Sequence, residues 1–136
     1  MVQKKKNMQE TATTLVIDHE TAAPAVEKDQ TLTSLCTKLG EINKRKGVLG
    51  YILRNATSAT IDLKDPTKLV EYALLSSQAL DSGKEISELF DIGEIENILI
   101  EGKDVKALCM AIGENKVSIF MEKDAEHTDI LRRVSH

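Results

Sequence analysis

The hydrophobic and polar positions of this chain fall into stretches of two different periods. From Thr31 the spacing is helical. Leu32, Leu35, Cys36, Leu39 and Ile42 recur at i, i+3, i+4 and i+7 and form one apolar stripe. Asp29, Thr31 or Thr33 can cap its start. Gly40 weakens it by roughly 1 kcal/mol. Lys44-Arg45-Lys46 followed by Gly47 marks its end, with the cations complementing the helix dipole. The period then changes. Val48 to Leu53 is an almost unbroken apolar run, as in a strand buried on both faces. Asn55-Ala56-Thr57-Ser58 supplies turn formers, and Thr57, Ala59, Ile61 and Leu63 alternate with Ser58, Thr60 and Asp62. The two segments predict a hairpin.

Asp65-Pro66 starts a second helix, with an acidic N-cap and proline at the first helical position. It is expected to run to about Ser82 and stop at Gly83. Its apolar residues, from Leu69 and Val70 through Tyr72, Ala73, Leu74, Leu75, Ala79 and Leu80, spread over roughly 220° at 100° per residue, where one packed face needs about 100°. Such a helix is expected to be buried on more than one side. The second cover comes either from another molecule or from the C-terminal helix. Three short strands follow, over 95–101, 105–112 and 116–122, with Gly102-Lys103-Asp104 and Gly113-Glu114-Asn115 as turns. The middle strand is apolar on both faces and is expected to lie inside the sheet, with helices on both sides. A short helix capped by Asp124 ends the chain, with Ala125, Ile130, Leu131 and Val134 as its apolar side.

The predicted order is α-β-β-α-β-β-β-α, an α+β fold around an antiparallel sheet. Residues 31–136 make the domain. Residues 1–30 read as a mobile tail, too poor in apolar surface to offset the entropy of ordering. Within the tail, Leu15-Val16-Ile17 is the one apolar patch, either a short edge strand or a docking motif.

The order and its punctuation resemble the Roadblock / dynein light-chain family. The resemblance covers about Thr31 to Val134. It rests on Gly47-Val48-Leu49-Gly50-Tyr51-Ile52-Leu53 after the first helix, on Tyr72-Ala73-Leu74-Leu75-Ser76-Ser77 within the second, on Ile98-Leu99-Ile100-Glu101-Gly102, and on Val117-Ser118-Ile119-Phe120. It departs from the family at Asn55-Ala56-Thr57-Ser58, where an Asp-Gly-like turn is usual. The resemblance implies a five-stranded antiparallel sheet (Roadblock/profilin-like) with one helix on one face and two on the other. It implies pairing of two copies through the third strand and second helix. It further implies a role in scaffolding or regulating a small Ras-like GTPase, or in linking cargo to a motor. The candidate dimer interface is Leu69, Val70, Ala73, Leu74, Ser77, Ile95, Asn97 and Leu99.

Composition narrows the function classes. The net charge is −4, which disfavours nucleic acid as the main partner. No apolar run approaches the ~18 residues that span a bilayer. No apolar stretch follows the N-terminal lysines, so cytoplasm is the expected location. Aromatic residues are 3% and tryptophan is absent, too few for a base-stacking platform or an aromatic cage. Cys36 and Cys109 are expected to be reduced core thiols. No phosphate loop, HExxH or paired CxxC occurs. His19 and His136 fall in tails, and His127 is expected to face solvent. Ser76 and Ser77 have no base nearby. The expectation is a non-catalytic, cofactor-free adaptor. A PAS-like ligand-sensing domain is the alternative, and it would need an internal cavity.

Overall fold

A computed structural model describes residues 13–16 and 26–135. The elements are β1 (Thr13–Val16), α1 (Val26–Ile42), β2 (Val48–Arg54), β3 (Ser58–Leu63), a 3-10 turn (Pro66–Lys68), α2 (Leu69–Leu89), β4 (Asn97–Glu101), β5 (Val105–Ile112), β6 (Asn115–Glu122) and α3 (His127–Ser135). All strand pairs are antiparallel, in the order β1-β3-β2-β6-β5-β4. The five expected strands are present, and Thr13–Val16 adds a sixth at the β3 edge. Of the apolar patch in the tail, Ile17 lies outside the described residues, as do His19 and His136.

The sheet carries one helix on one face and two on the other. Leu35, Leu39 and Ile42 of α1 and Ile130 and Val134 of α3 pack on Tyr51, Leu53, Leu108, Met110, Val117 and Ile119. On the opposite face, Tyr72, Ala73, Leu75, Ala79 and Leu80 of α2 pack on Ile52, Leu63, Ala107, Cys109 and Phe120. The two faces follow from the period of two, which sends successive side chains of each strand to opposite sides. α3 therefore cannot cover α2, and the intramolecular alternative for the second cover of α2 is excluded.

Local chemistry explains the connections. Asn55 replaces the missing turn glycine with its side chain. Its Oδ1 accepts from the backbone N–H groups of Thr57 at 2.9 Å and Ser58 at 3.0 Å, while its Nδ2 donates to Asn115 Oδ1 at 3.0 Å. Asp65 caps the 3-10 turn, its Oδ1 accepting from the Thr67 N–H at 3.1 Å and from the Thr67 hydroxyl at 2.6 Å. Gly50 sits at φ +147 beside an irregularity in the β2–β6 ladder. A Cβ there would stand 2.4 Å from the Asp62 carbonyl oxygen and 2.7 Å from Leu63 Cα, so only glycine fits.

Several expectations are corrected. α1 begins at Val26, five residues before Thr31. α2 does not stop at Gly83 but continues to Leu89. Gly83 is buried against β4, where a Cβ would meet Ile98 Cδ1 at 2.5 Å, so its small size serves close packing rather than a helix end. β4 starts at Asn97 rather than Ile95. α3 starts at His127, three residues beyond Asp124. His127 is half-buried instead of solvent-facing, because the buried Lys106 reaches it. Lys106 Nζ donates to the Ala125 carbonyl at 2.6 Å and lies 3.2 Å from His127 Nδ1.

Candidate interaction surface

α2 crosses its face of the sheet obliquely. Near its start, the Tyr72 ring stacks on Phe120 of β6, with centroids 4.2 Å apart and planes 13° from parallel. One turn on, the Ser76 hydroxyl hydrogen-bonds that of Ser118, also on β6, and both are fully buried. By Gly83 the helix has reached Ile98 of β4. It therefore leaves the sheet over the β4 edge, and its last turn has no strand beneath it.

This path leaves two apolar areas in the open. On one flank, Leu75, Gln78, Ala79, Ser82 and Ile86 face Ile95, Asn97, Ile98 and Ile100 across a groove of about 480 Å³. Beyond it, Leu89, Phe90 and Ile92 are exposed. The groove runs beside β4, whose outer edge pairs with no strand among the described residues. The second area is Val70 and Leu74. Val70 is 69% exposed and Leu74 58%. They stand roughly 150° and 110° around the helix from the centre of the groove flank, at 100° per residue.

The predicted interface residues thus fall into separate places. Val70 and Leu74 lie on the outer flank, while Leu69, 37% exposed in the first turn of α2, stands on the side of Ala73 and Leu80. Ala73 and Leu99 pack into the two core layers, Ala73 towards Phe120 and Leu99 towards the α1–α3 side. Ser77 is half-buried. Ile95 and Asn97 line the groove. Sequence reading missed Ile86 and Leu89, because reading Gly83 as a stop cut the helix short, and their helical spacing from Leu75 and Ala79 was the available signal. It also missed Phe90 and Ile92, just beyond the helix end.

The opposite face is polar. Asp129 of α3 binds three guanidinium groups: Arg45 at 2.7 Å, Arg132 at 2.5 Å and Arg133 at 3.2 Å. The Arg133 hydrogen bond and the three positive charges hold the Asp129 carboxyl below its usual range. Arg45 therefore ties the end of α1 to α3 instead of only complementing a dipole. Both cysteines are free thiols, Cys109 buried and Cys36 half-buried. Burial pushes both up, so neither is poised as a nucleophile. Ser76, bonded to another serine in the core, has no base beside it. Among the described residues no group of three or more His, Cys, Asp or Glu converges as a metal site, and no helix is long and apolar enough to cross a membrane.

The order and stacking of these elements recur in solved structures. The Roadblock/LC7 domain from Streptomyces avermitilis matches with a TM-score of 0.61 at 13% identity, over 73% of this chain and 87% of that one. The chain has the Roadblock fold. Myxococcus xanthus MglB matches with a TM-score of 0.62 at 11% identity, covering 76% and 87% of the two chains. MglC from the same organism matches with a TM-score of 0.51 at 16% identity, covering 75% and 93%. No protein-family model and no curated protein matches the sequence. At these identities the likeness lies in the Roadblock fold itself: how the elements are ordered and stacked.

Proposed function

We propose that this Roadblock-fold chain is a non-catalytic adaptor or regulator that works as a homodimer and binds a small Ras-like GTPase. The observation that carries the reading is the open β4 edge beside an apolar groove on α2. An edge of five residues reading Asn97-Ile98-Leu99-Ile100-Glu101 carries no lysine, proline or bulge to keep other strands away. Pairing β4 with β4 of a second copy about a two-fold axis satisfies its backbone groups. The same axis brings the two groove flanks together, so Leu75, Ala79 and Ile86 gain the cover that one subunit does not supply. Such an isologous contact closes on itself at two copies. Val70 and Leu74, on the outer flank, then remain as an apolar landing area for a second protein. The family resemblance supports a small Ras-like GTPase as that protein.

The chemistry described above supports a binding role, since the thiols are protonated and the serine hydroxyls are spent on one another. The ligand-sensing alternative gains no support from the core beneath α2. Tyr72 on Phe120 and Ser76 on Ser118 fill the space a ligand would occupy.

The test is solution mass followed by binding. Light scattering on the purified chain is expected to give twice the 15.0 kDa chain mass. Ras-like GTPases from the same cells, loaded with GDP or a GTP analogue, are expected to bind in a nucleotide-dependent manner. Leu74→Glu should weaken that binding and leave the mass unchanged. A monomer refutes the pairing across β4, and a chain that binds neither nucleotide form refutes the GTPase as partner.

A further inference from the structure

The two edges of the sheet are treated differently. β4 leaves one edge open. At the other, β1 lies on β3 with Thr13, Thr14, Leu15 and Val16 opposite Ile61, Thr60, Ala59 and Ser58. β1 belongs to the sheet through that one ladder. The stretch of β3 that it covers, Ser58-Ala59-Thr60-Ile61, has no charge, proline or glycine. Uncovered, an edge of this composition templates pairing with another strand. With β4 open as well, one sheet would carry two adhesive edges. Pairing at both produces an open-ended stack, whereas pairing at one closes.

We propose that β1 is an edge cap. By filling the β3 edge within the same chain, it stops strand-to-strand association of this protein from growing beyond the β4 contact. The cap keeps a second copy off β3, and the occupant admitted when the cap is lifted is that second copy. The limit of two copies rests on the reading that copies pair across β4. The cap itself does not.

Single proline substitutions in the full chain test this. Backbone N–H groups of neighbouring residues in a strand point to opposite edges, so of Thr14 and Leu15 one donates towards β3 and the other points away. Proline removes the donor and is tolerated where the N–H faces solvent. Of Thr14→Pro and Leu15→Pro, one is therefore expected to lift β1, and the other to behave as wild type. Hydrogen exchange reads the lift as faster exchange, by roughly tenfold or more, at those of residues 58–61 whose N–H faces β1, with their β2-facing neighbours unchanged. Light scattering reads the consequence as species larger than wild type that grow with concentration. Circular dichroism confirms that both variants keep the fold. Since only one variant is lifted, a general effect of proline on folding or solubility would show in both.

Three results overturn the cap: the β1-facing amides of residues 58–61 exchanging freely in the wild-type chain, both variants or neither changing the mass, or those amides losing protection in one variant at unchanged mass. If the wild-type chain is a monomer, the β4 reading fails. A lifted variant that then associates still supports the cap.

Discussion

Ile86 and Leu74 test the proposal that two copies pair across β4. Ile86 is 49% exposed in the single chain, so about half of its side chain remains to be covered. Full burial of an isoleucine is worth roughly 1.5–3 kcal/mol, so the remaining half contributes about 1 kcal/mol per copy and about 2 kcal/mol to a two-fold pair. Ile86→Glu removes that term and puts a carboxylate from each copy into an apolar seam. An uncompensated buried charge costs several kcal/mol. Two of them, added to the lost burial, weaken the pair by at least about 6 kcal/mol, or roughly four powers of ten in Kd. In the separated subunit the introduced carboxylate would be half in water, so the fold should lose about 1 kcal/mol or less. Sedimentation over a hundredfold concentration range, with far-ultraviolet circular dichroism as the fold control, is expected to show Ile86→Glu as a folded monomer. Leu74→Glu, on the outer flank, should sediment as wild type. If Leu74→Glu separates the copies and Ile86→Glu does not, the seam follows the outer flank and the argument from the β4 groove is wrong.

Gly50→Ala should unfold the chain or cost several kcal/mol in urea titration, because the new methyl would meet the backbone of Asp62 and Leu63 within 2.4 and 2.7 Å. Near wild-type stability would show that β2 and β3 are not so closely apposed. Gly83→Ala should cost roughly 1–2 kcal/mol despite the better helix propensity of alanine, and Ile98→Val, which removes the Cδ1 that the new methyl meets at 2.5 Å, should restore most of it. Additive effects would remove the direct contact from the explanation. Tyr51 is held up to about 12 by burial first, with the charges of Asp62 and Cys36 adding. A raised acid favours the folded state while it is protonated. The contribution is therefore complete below the unfolded value near 10 and is lost as pH rises towards 12. Urea midpoints measured across that window should fall less steeply for Tyr51→Phe, and identical slopes refute the assignment. Asp129 has the opposite sign. Its lowered carboxyl stabilises above the unfolded value of about 3.9, and the stabilisation fades as pH falls through and below it, so Asp129→Asn should flatten the acid limb of the stability curve.

Much of the architecture was written in local pattern. The apolar run Val48–Leu53 marked the strand buried on both faces, and Asp65-Pro66 marked the start of α2. The glycine turn between 105–112 and 116–122 marked a pair of short strands, and apolar residues on both faces of 105–112 placed that strand inside the sheet. These features are legible because period, caps and turn chemistry depend on neighbours in the chain. The excess of apolar surface on residues 69–82 was also legible, since it needs only the helical period. Which way that surface faces was not.

Glycine shows the difference most directly. Gly50 and Gly83 are the same residue, and no local signal separates a close backbone approach from a helix stop. Ile98, fifteen positions along, makes Gly83 a packing site, and the helix runs on to expose Ile86, Leu89 and Phe90. The buried Lys106 is a similar case, placed in reach of Ala125 and His127 only by the turn after β6. The strand at Thr13–Val16 has too little apolar surface to order itself and depends on the edge that β3 offers. Sequence alone determined the type and order of the main helices and strands, though not where α1 begins or α2 ends, because type and order follow from side-chain spacing along one backbone. The tertiary structure alone decided which flank of α2 lies beside an open edge, because that depends on the angle at which the helix crosses strands far away in the chain.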